Sequence, residues 1–68
     1  MITYRAKSGH VKLKLIAELS NQGVPLDAAF RCGIACVDAG RVPDDWREQL
    51  GDEASDAIDE DLERMKVT

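Results

Sequence analysis

The side chains of this chain that could bind a partner are charged, and they lie in two separate parts of the sequence. Residues 1–14 hold four of the nine basic residues and none of the 13 acidic ones, so this segment carries a formal charge of +4. The remaining residues carry −8, which gives the net charge of −4. A cationic segment can dock on a phosphate backbone, whereas an acidic surface can bind a basic partner. The four basic residues are Arg5, Lys7, Lys12 and Lys14.

Residues that could carry out catalysis are sparse. The single histidine, His10, defines no catalytic site by itself, and we interpret it as a surface residue. The five glycines form no phosphate-binding loop. Cys32 and Cys36 are four residues apart and could face one metal, but zinc needs four ligands and only His10 or acidic residues could complete the set. We therefore predict that the protein is not an enzyme and has no cofactor or metal site.

The C-terminal part of the chain is rich in carboxylates. Helical spacing places Asp52, Asp56 and Asp59 or Glu60 on one face, but the central glycine of a calcium-binding loop is missing. Two interpretations remain open. The acids form either a solvated helix face or a surface that binds a basic partner. In the second case the predicted partner-binding residues are Asp56, Asp59, Glu60 and Glu63.

The length of the chain limits its stability. A domain of 68 residues buries only about 60% of the surface of its unfolded chain and is marginal as a monomer. A disulfide between Cys32 and Cys36 would close too short a loop to constrain the unfolded chain, so we expect a homodimer or another partner. No segment approaches the roughly 20 apolar residues of a membrane span, and the N-terminus lacks the apolar run of a secretory signal. These features predict a cytoplasmic protein.

Glycine and proline divide the sequence into segments. The first, Ile2 to Lys7, alternates apolar and polar residues, which predicts a short strand. Ser8 is a candidate N-cap for a helix that runs to about Asn21 and ends before Gly23. A hairpin that turns at Ser8-Gly9 is the alternative, because the alternation continues from Val11 to Leu15.

The segment from Pro25 to Ala39 predicts a helix that is apolar nearly all round, with Gly40 just beyond its end. A short chain can hardly cover such a helix on every side, so we predict that it forms a dimer interface or core. Gly33 would allow close approach of two backbones there. The residues expected in this interface or core are Phe30, Gly33, Ile34, Val37 and, from the next segment, Trp46.

Two further helices are predicted in the C-terminal part of the chain. Pro43 opens a short one in which Trp46 anchors the segment to the core, and the other runs from Asp52 to Lys66. The predicted organisation is a strand-helix-helix core over residues 1–40, followed by an acidic helical extension over residues 41–68. The expected fold class is mainly α, with a short N-terminal strand followed by three to four helices.

This order of elements resembles the ribbon-helix-helix family of bacterial and phage DNA-binding proteins. The likeness covers about Ile2 to Val37 and rests on three features: Thr3, Arg5 and Lys7 alternating with Ile2, Tyr4 and Ala6, the 15 residues between Lys7 and Gly23, and the run from Gly23 to Ile34. The resemblance implies an obligate homodimer whose paired N-terminal strands lie in the DNA major groove. Thr3, Arg5 and Lys7 would then read the bases, with Lys12 and Lys14 on phosphates.

The resemblance predicts a small DNA-binding transcriptional regulator. Its acidic C-terminus would match the family's antitoxins, in which the region beyond the DNA-binding part wraps a toxin. The alternative is a small acidic interaction module, such as a phage or mobile-element inhibitor or adaptor, that occupies a basic site on its target. The expected partners are therefore a second copy of the chain, double-stranded DNA and a basic protein, and no membrane.

Overall fold

A computed structural model of the protein describes residues 2–67, which form four helices. Helix α1 spans Ser8–Asn21, α2 spans Leu26–Ala39, α3 spans Asp44–Leu50 and α4 spans Asp52–Met65. All four segments that the sequence predicted as helical are helices. None of the helices in residues 2–67 is long and apolar enough to cross a membrane.

Helices α1 and α2 form a hairpin whose turn is closed by backbone hydrogen bonds. Gly23 adopts a φ of 92°, a conformation that glycine tolerates at no steric cost. Its N–H donates to the carbonyl of Ser20 at 3.0 Å, and the N–H of Val24 donates to that of Leu19 at 3.1 Å. These two bonds are those of a Schellman motif, so Gly23 ends α1 as predicted.

The two helices of the hairpin pack tightly against each other at Gly33. A Cβ atom at this position would lie 2.9 Å from Cγ1 of Ile16 and 3.6 Å from the carbonyl oxygen of Lys12. The close backbone approach that we expected between two chains therefore occurs within one chain, between α1 and α2.

The core draws residues from α1, α2, α4 and the loop before α3. Helix α3 has no fully buried residue, but Trp46 and Leu50 are half-buried and pack against the core. Trp46 thus anchors α3 as the sequence predicted. The completely or nearly completely buried apolar residues are Val11, Leu15, Ile16, Leu19, Ala29, Cys32, Cys36, Val37, Val42, Ile58 and Leu62.

The predicted N-terminal strand is wrong. Residues 2–67 contain no strand, and Tyr4 forms only an isolated antiparallel bridge with Lys66. The hydroxyl of Tyr4 donates a hydrogen bond to the carbonyl of Val37 at 2.6 Å, which ties this segment to the last turn of α2. The chain then bends and enters α1, with Lys7 rather than Ser8 at the N-cap position. The hairpin alternative at Ser8-Gly9 is not formed.

The backbone of the N-terminal segment is bonded to the C-terminal end of the same chain. The N–H of Arg5 donates to the carbonyl of Met65 at 2.8 Å, and the N–H of Val67 donates to the carbonyl of Thr3 at 3.0 Å. A strand needs a second strand to pair with, and here the backbone groups of Thr3 and Arg5 bond instead to the residues at the end of α4 and just beyond it. The fold is therefore a four-helix arrangement, and the predicted strand-led, ribbon-helix-helix-like fold is wrong.

Candidate binding surfaces

The inner flank of α4 is held by one arginine of α3. The guanidinium group of Arg47 lies 2.9 Å from the Asp56 carboxylate and 3.7 Å from that of Asp52, and it also hydrogen-bonds to Asp59. The hydrogen bond to Asp56 raises the pKa of Arg47, and the charge of Asp59 adds to this effect. We refer to the contacts of Arg47 with these three aspartates as the Arg47 clasp.

Asp59 has a second, structural role. Its carboxylate accepts a hydrogen bond of 2.7 Å from the backbone N–H of Val42, a residue that is completely buried. Leaving a buried donor without an acceptor is costly, so Asp59 stabilises the loop before α3. Of the four acids predicted to bind a partner, Asp59 is therefore already engaged within the fold.

The outer face of α4 carries a stripe of exposed carboxylates. Glu53, Asp56, Glu60 and Glu63 follow one another at spacings of three, four and three residues, which places them on one face. The stripe extends over about 15 Å of helix. Asp56 touches Arg47, and Glu63 pairs with Lys66 at 3.3 Å. Glu53 and Glu60 form no ion pair with any residue in 2–67. We call these four residues the α4 stripe.

Glu53 is the member of the α4 stripe that we did not predict from the sequence. Its spacing of three residues from Asp56 and seven from Glu60 was the signal that could have identified it.

The basic residues of the N-terminal part do not share one face. Arg5, Lys7 and Lys14 are exposed and Lys12 is half-buried, and none pairs with an acid in the described part of the chain. Lys12 and Lys14 are two positions apart on α1, so they point to nearly opposite sides of it. Lys12 borders a cavity of about 400 Å³ together with Tyr4 and Asp38. The structure thus separates side chains that the sequence grouped together.

The side chains predicted to read DNA bases lie in the N-terminal segment. Thr3, Arg5 and Lys7 are all exposed. Their segment is not part of a ribbon within residues 2–67, because the carbonyl of Thr3 and the N–H of Arg5 are bonded to the C-terminal end of the same chain.

The two cysteines lie in the core. Cys32 and Cys36 are completely buried, with their sulfur atoms 3.8 Å apart. Burial, together with the neighbouring Cys32, raises the pKa of Cys36 to about 12, and burial also raises the pKa of Cys32. A protonated thiol is a poor nucleophile and a poor metal ligand. Within residues 2–67, no three His, Cys, Asp or Glu side chains are grouped to hold a metal ion.

The residues predicted to form a dimer interface or core divide into two groups. Gly33 and Val37 are buried and Trp46 is half-buried, so these three pack within the chain. Phe30 and Ile34 are exposed on the other side of α2, together with Leu26. Leu26 was not among the predicted residues, although its spacing of four residues from Phe30 could have identified it.

No protein-family model, curated protein or solved structure matches this chain. These comparisons do not test the likeness to ribbon-helix-helix proteins, so membership of that family stays a prediction from the sequence.

Proposed function

We propose that the protein is a small acidic interaction module that binds a basic site on another protein through the α4 stripe. The observation that carries this proposal is the alignment of Glu53, Asp56, Glu60 and Glu63 along the exposed face of one helix. An acidic surface of this kind complements lysine and arginine side chains on a partner.

The packing of α4 against the rest of the chain favours a binding role for the α4 stripe over a role in solubility alone. Ile58 and Leu62 bury the opposite side of α4 in the core, and Asp59 fixes the helix to the loop before α3. The carboxylates are thus displayed from a packed helix, so little ordering of the backbone is needed on binding, which lowers the cost of association. The net charge of −4 would also speed encounter with a basic partner.

Two variants of equal charge test this proposal. The first, called the variant without the α4 stripe, carries Glu53→Gln, Glu60→Gln and Glu63→Gln and keeps only Asp56 of the four carboxylates. The control carries Asp38→Asn, Asp45→Asn and Glu48→Gln, which neutralises three exposed acids elsewhere. Asp56 and Asp59 are kept in both, because they bind Arg47 and their neutralisation would disturb the attachment of α3.

The probe is a fluorescently labelled oligo-arginine peptide, and its binding is measured by anisotropy, with helicity checked by circular dichroism. We expect the variant without the α4 stripe to lose at least about tenfold in affinity, and the control to lose much less. Equal losses in the two variants would mean that net charge alone governs binding, and the proposal would be abandoned.

A second candidate is binding of double-stranded DNA, as expected of a transcriptional regulator or antitoxin. It is supported by the exposed positive charges of Arg5, Lys7 and Lys14, which have no acidic partner among the described residues. Contacts of this type supply affinity that falls steeply with salt. The test measures the affinity of the protein for a DNA duplex. An affinity that does not change with salt concentration, or that is the same in the Arg5→Ala variant, would exclude this candidate.

A further inference from the structure

Helix α2 exposes an apolar stripe that its own chain does not cover. Leu26, Phe30 and Ile34 lie one helical turn apart, and their exposed fractions are 60%, 45% and 43%. Single exposed apolar residues are common on protein surfaces, but a contiguous patch marks a site of interaction. We call these three residues the α2 stripe.

The α2 stripe continues onto α1. Gly33 faces Lys12 and Ile16, which defines the line of contact between the two antiparallel helices. Ile34 follows Gly33, and Leu13 follows Lys12. Successive side chains of an α-helix are about 100° apart around its axis, so Ile34 and Leu13 each lie about 100° from the line of contact. Because the helices run in opposite directions, these two side chains lie on the same side of the hairpin, away from the side that carries the buried Leu15 and Cys32. Leu13 is 61% exposed, so it extends the apolar surface.

Two opposite charges border the α2 stripe. Asp27 follows Leu26 and Arg31 follows Phe30, so both lie on the same flank of the stripe, four residues apart. Both are exposed, and neither takes part in an ion pair with another residue of the described range 2–67. The surface is therefore apolar along its centre, with one acid and one base along one edge.

We infer that a second copy of this chain covers the α2 stripe, with the two α2 helices antiparallel about a twofold axis near Phe30. In such a pair the same flank of each helix meets the other. Each Asp27 then lies about 3 Å along the helix axis from the Arg31 of the other copy. Twofold symmetry makes this pairing occur twice, so a single acid and a single base are enough for a self-complementary surface.

The small size of the surface favours a weak dimer over a permanent one. Apolar patches of this type cover on the order of 300–600 Å², below the roughly 800 Å² that each partner contributes to a standard interface. We therefore expect a reversible dimer with a dissociation constant in the micromolar range. This association does not depend on the proposed function, since the α4 stripe and the α2 stripe share no residue and can be tested separately.

Sedimentation velocity over a range of protein concentrations gives the first test. The wild-type chain should pass from monomer to dimer as its concentration rises through the micromolar range. Phe30→Asp should remain a monomer. Val67→Asp replaces an apolar residue that is similarly exposed but lies outside the α2 stripe, so this variant should behave like the wild type. A wild-type chain that stays monomeric, or a Phe30→Asp variant that dimerises normally, would overturn the inference.

Charge reversal gives the sharper test, because it depends on the antiparallel pairing. Asp27→Arg places two bases opposite each other at both symmetric positions, and Arg31→Asp places two acids there. Each variant alone should lose at least about tenfold in self-association. An equimolar mixture should form heterodimers, since all the cross-pairs then have opposite charge. A mixture that associates no better than the separate variants would eliminate the twofold arrangement, even if the wild-type chain dimerises.

Discussion

The hairpin of α1 and α2 is held together by apolar packing, whereas α3 is attached to α4 largely by charged groups. No side-chain hydrogen bond or ion pair links α1 to α2 within residues 2–67. Helix α3, in contrast, has no fully buried residue and relies on the Arg47 clasp and on half-buried Trp46 and Leu50. The two regions should therefore respond differently to salt and pH, because burial of apolar surface involves no charge and exposed ion pairs are screened.

The largest effect is expected from an apolar truncation in the hairpin. Leu15 is completely buried in α1, and Leu15→Ala should lower the free energy of unfolding by about 2–5 kcal/mol. Urea denaturation followed by circular dichroism measures this change, which should be the same at low and high salt.

Leu13→Ala is the control, because it removes the same atoms from an exposed position of the same helix. At a protein concentration low enough for the chain to be monomeric, it should change stability by about 0.5 kcal/mol or less. Similar losses in Leu15→Ala and Leu13→Ala would contradict the assignment of the core.

A smaller effect is expected from the polar attachment of α3. Asp59→Ala leaves the buried N–H of Val42 without its acceptor and should cost about 1–3 kcal/mol in urea denaturation. Asp59→Asn should cost less, since the amide oxygen can still accept this bond.

The matched control for Asp59 is its neighbour Glu60. Glu60 is exposed and forms no ion pair within the described chain, so Glu60→Ala should change stability by about 0.5 kcal/mol or less. If Glu60→Ala were as harmful as Asp59→Ala, the division of α4 into an inner and an outer flank would be wrong.

The smallest effect is expected where a carboxylate of α1 meets one of α4. Burial, the charge of Asp61 and a hydrogen bond with Asp61 raise the pKa of Glu18 above its ordinary value of 4.5, while Lys14 and Arg64 oppose this shift. The stabilising contribution of protonated Glu18 is then fully present below pH 4.5 and is lost as the pH rises through the higher pKa of the folded protein. At neutral pH, ionised Glu18 is therefore destabilising.

Glu18→Gln keeps the shape of this side chain and removes its charge. Its thermal midpoint should equal that of the wild type at acidic pH and exceed it at neutral pH, as measured by differential scanning calorimetry. A difference between the two proteins that does not vary with pH would show that the contact between Glu18 and Asp61 carries no electrostatic cost.

Local signals allowed the helices to be predicted but not their attachments. Gly23 and Gly40 adopt φ values of 92° and 74°, and each lies just beyond a helix that was expected to end there. Such positions are visible in sequence because glycine alone adopts this conformation at no steric cost. Asp59 and Glu60, in contrast, are adjacent acids of one helix, and nothing local distinguishes the one that binds Val42 from the one in solvent.

The prediction of the N-terminal strand failed because alternation reports that a segment is extended but not what it pairs with. The partner of Tyr4 is Lys66, near the other end of the described chain, and the contact extends over a single residue pair. The same limit applies to α2. Its composition shows that nearly every side is apolar, but only the packing of α1 against Gly33 determines which apolar residues remain exposed.

The sequence by itself determined the four helical segments and the separation of positive from negative charge, because these depend on residue type and on short-range spacing. The tertiary structure alone decided which carboxylates support the fold and which face solvent, that the first residues pair with the end of α4, and that Leu26, Phe30 and Ile34 remain uncovered. These outcomes depend on contacts between residues distant in sequence, whose free energies are set by burial and by the groups that meet there.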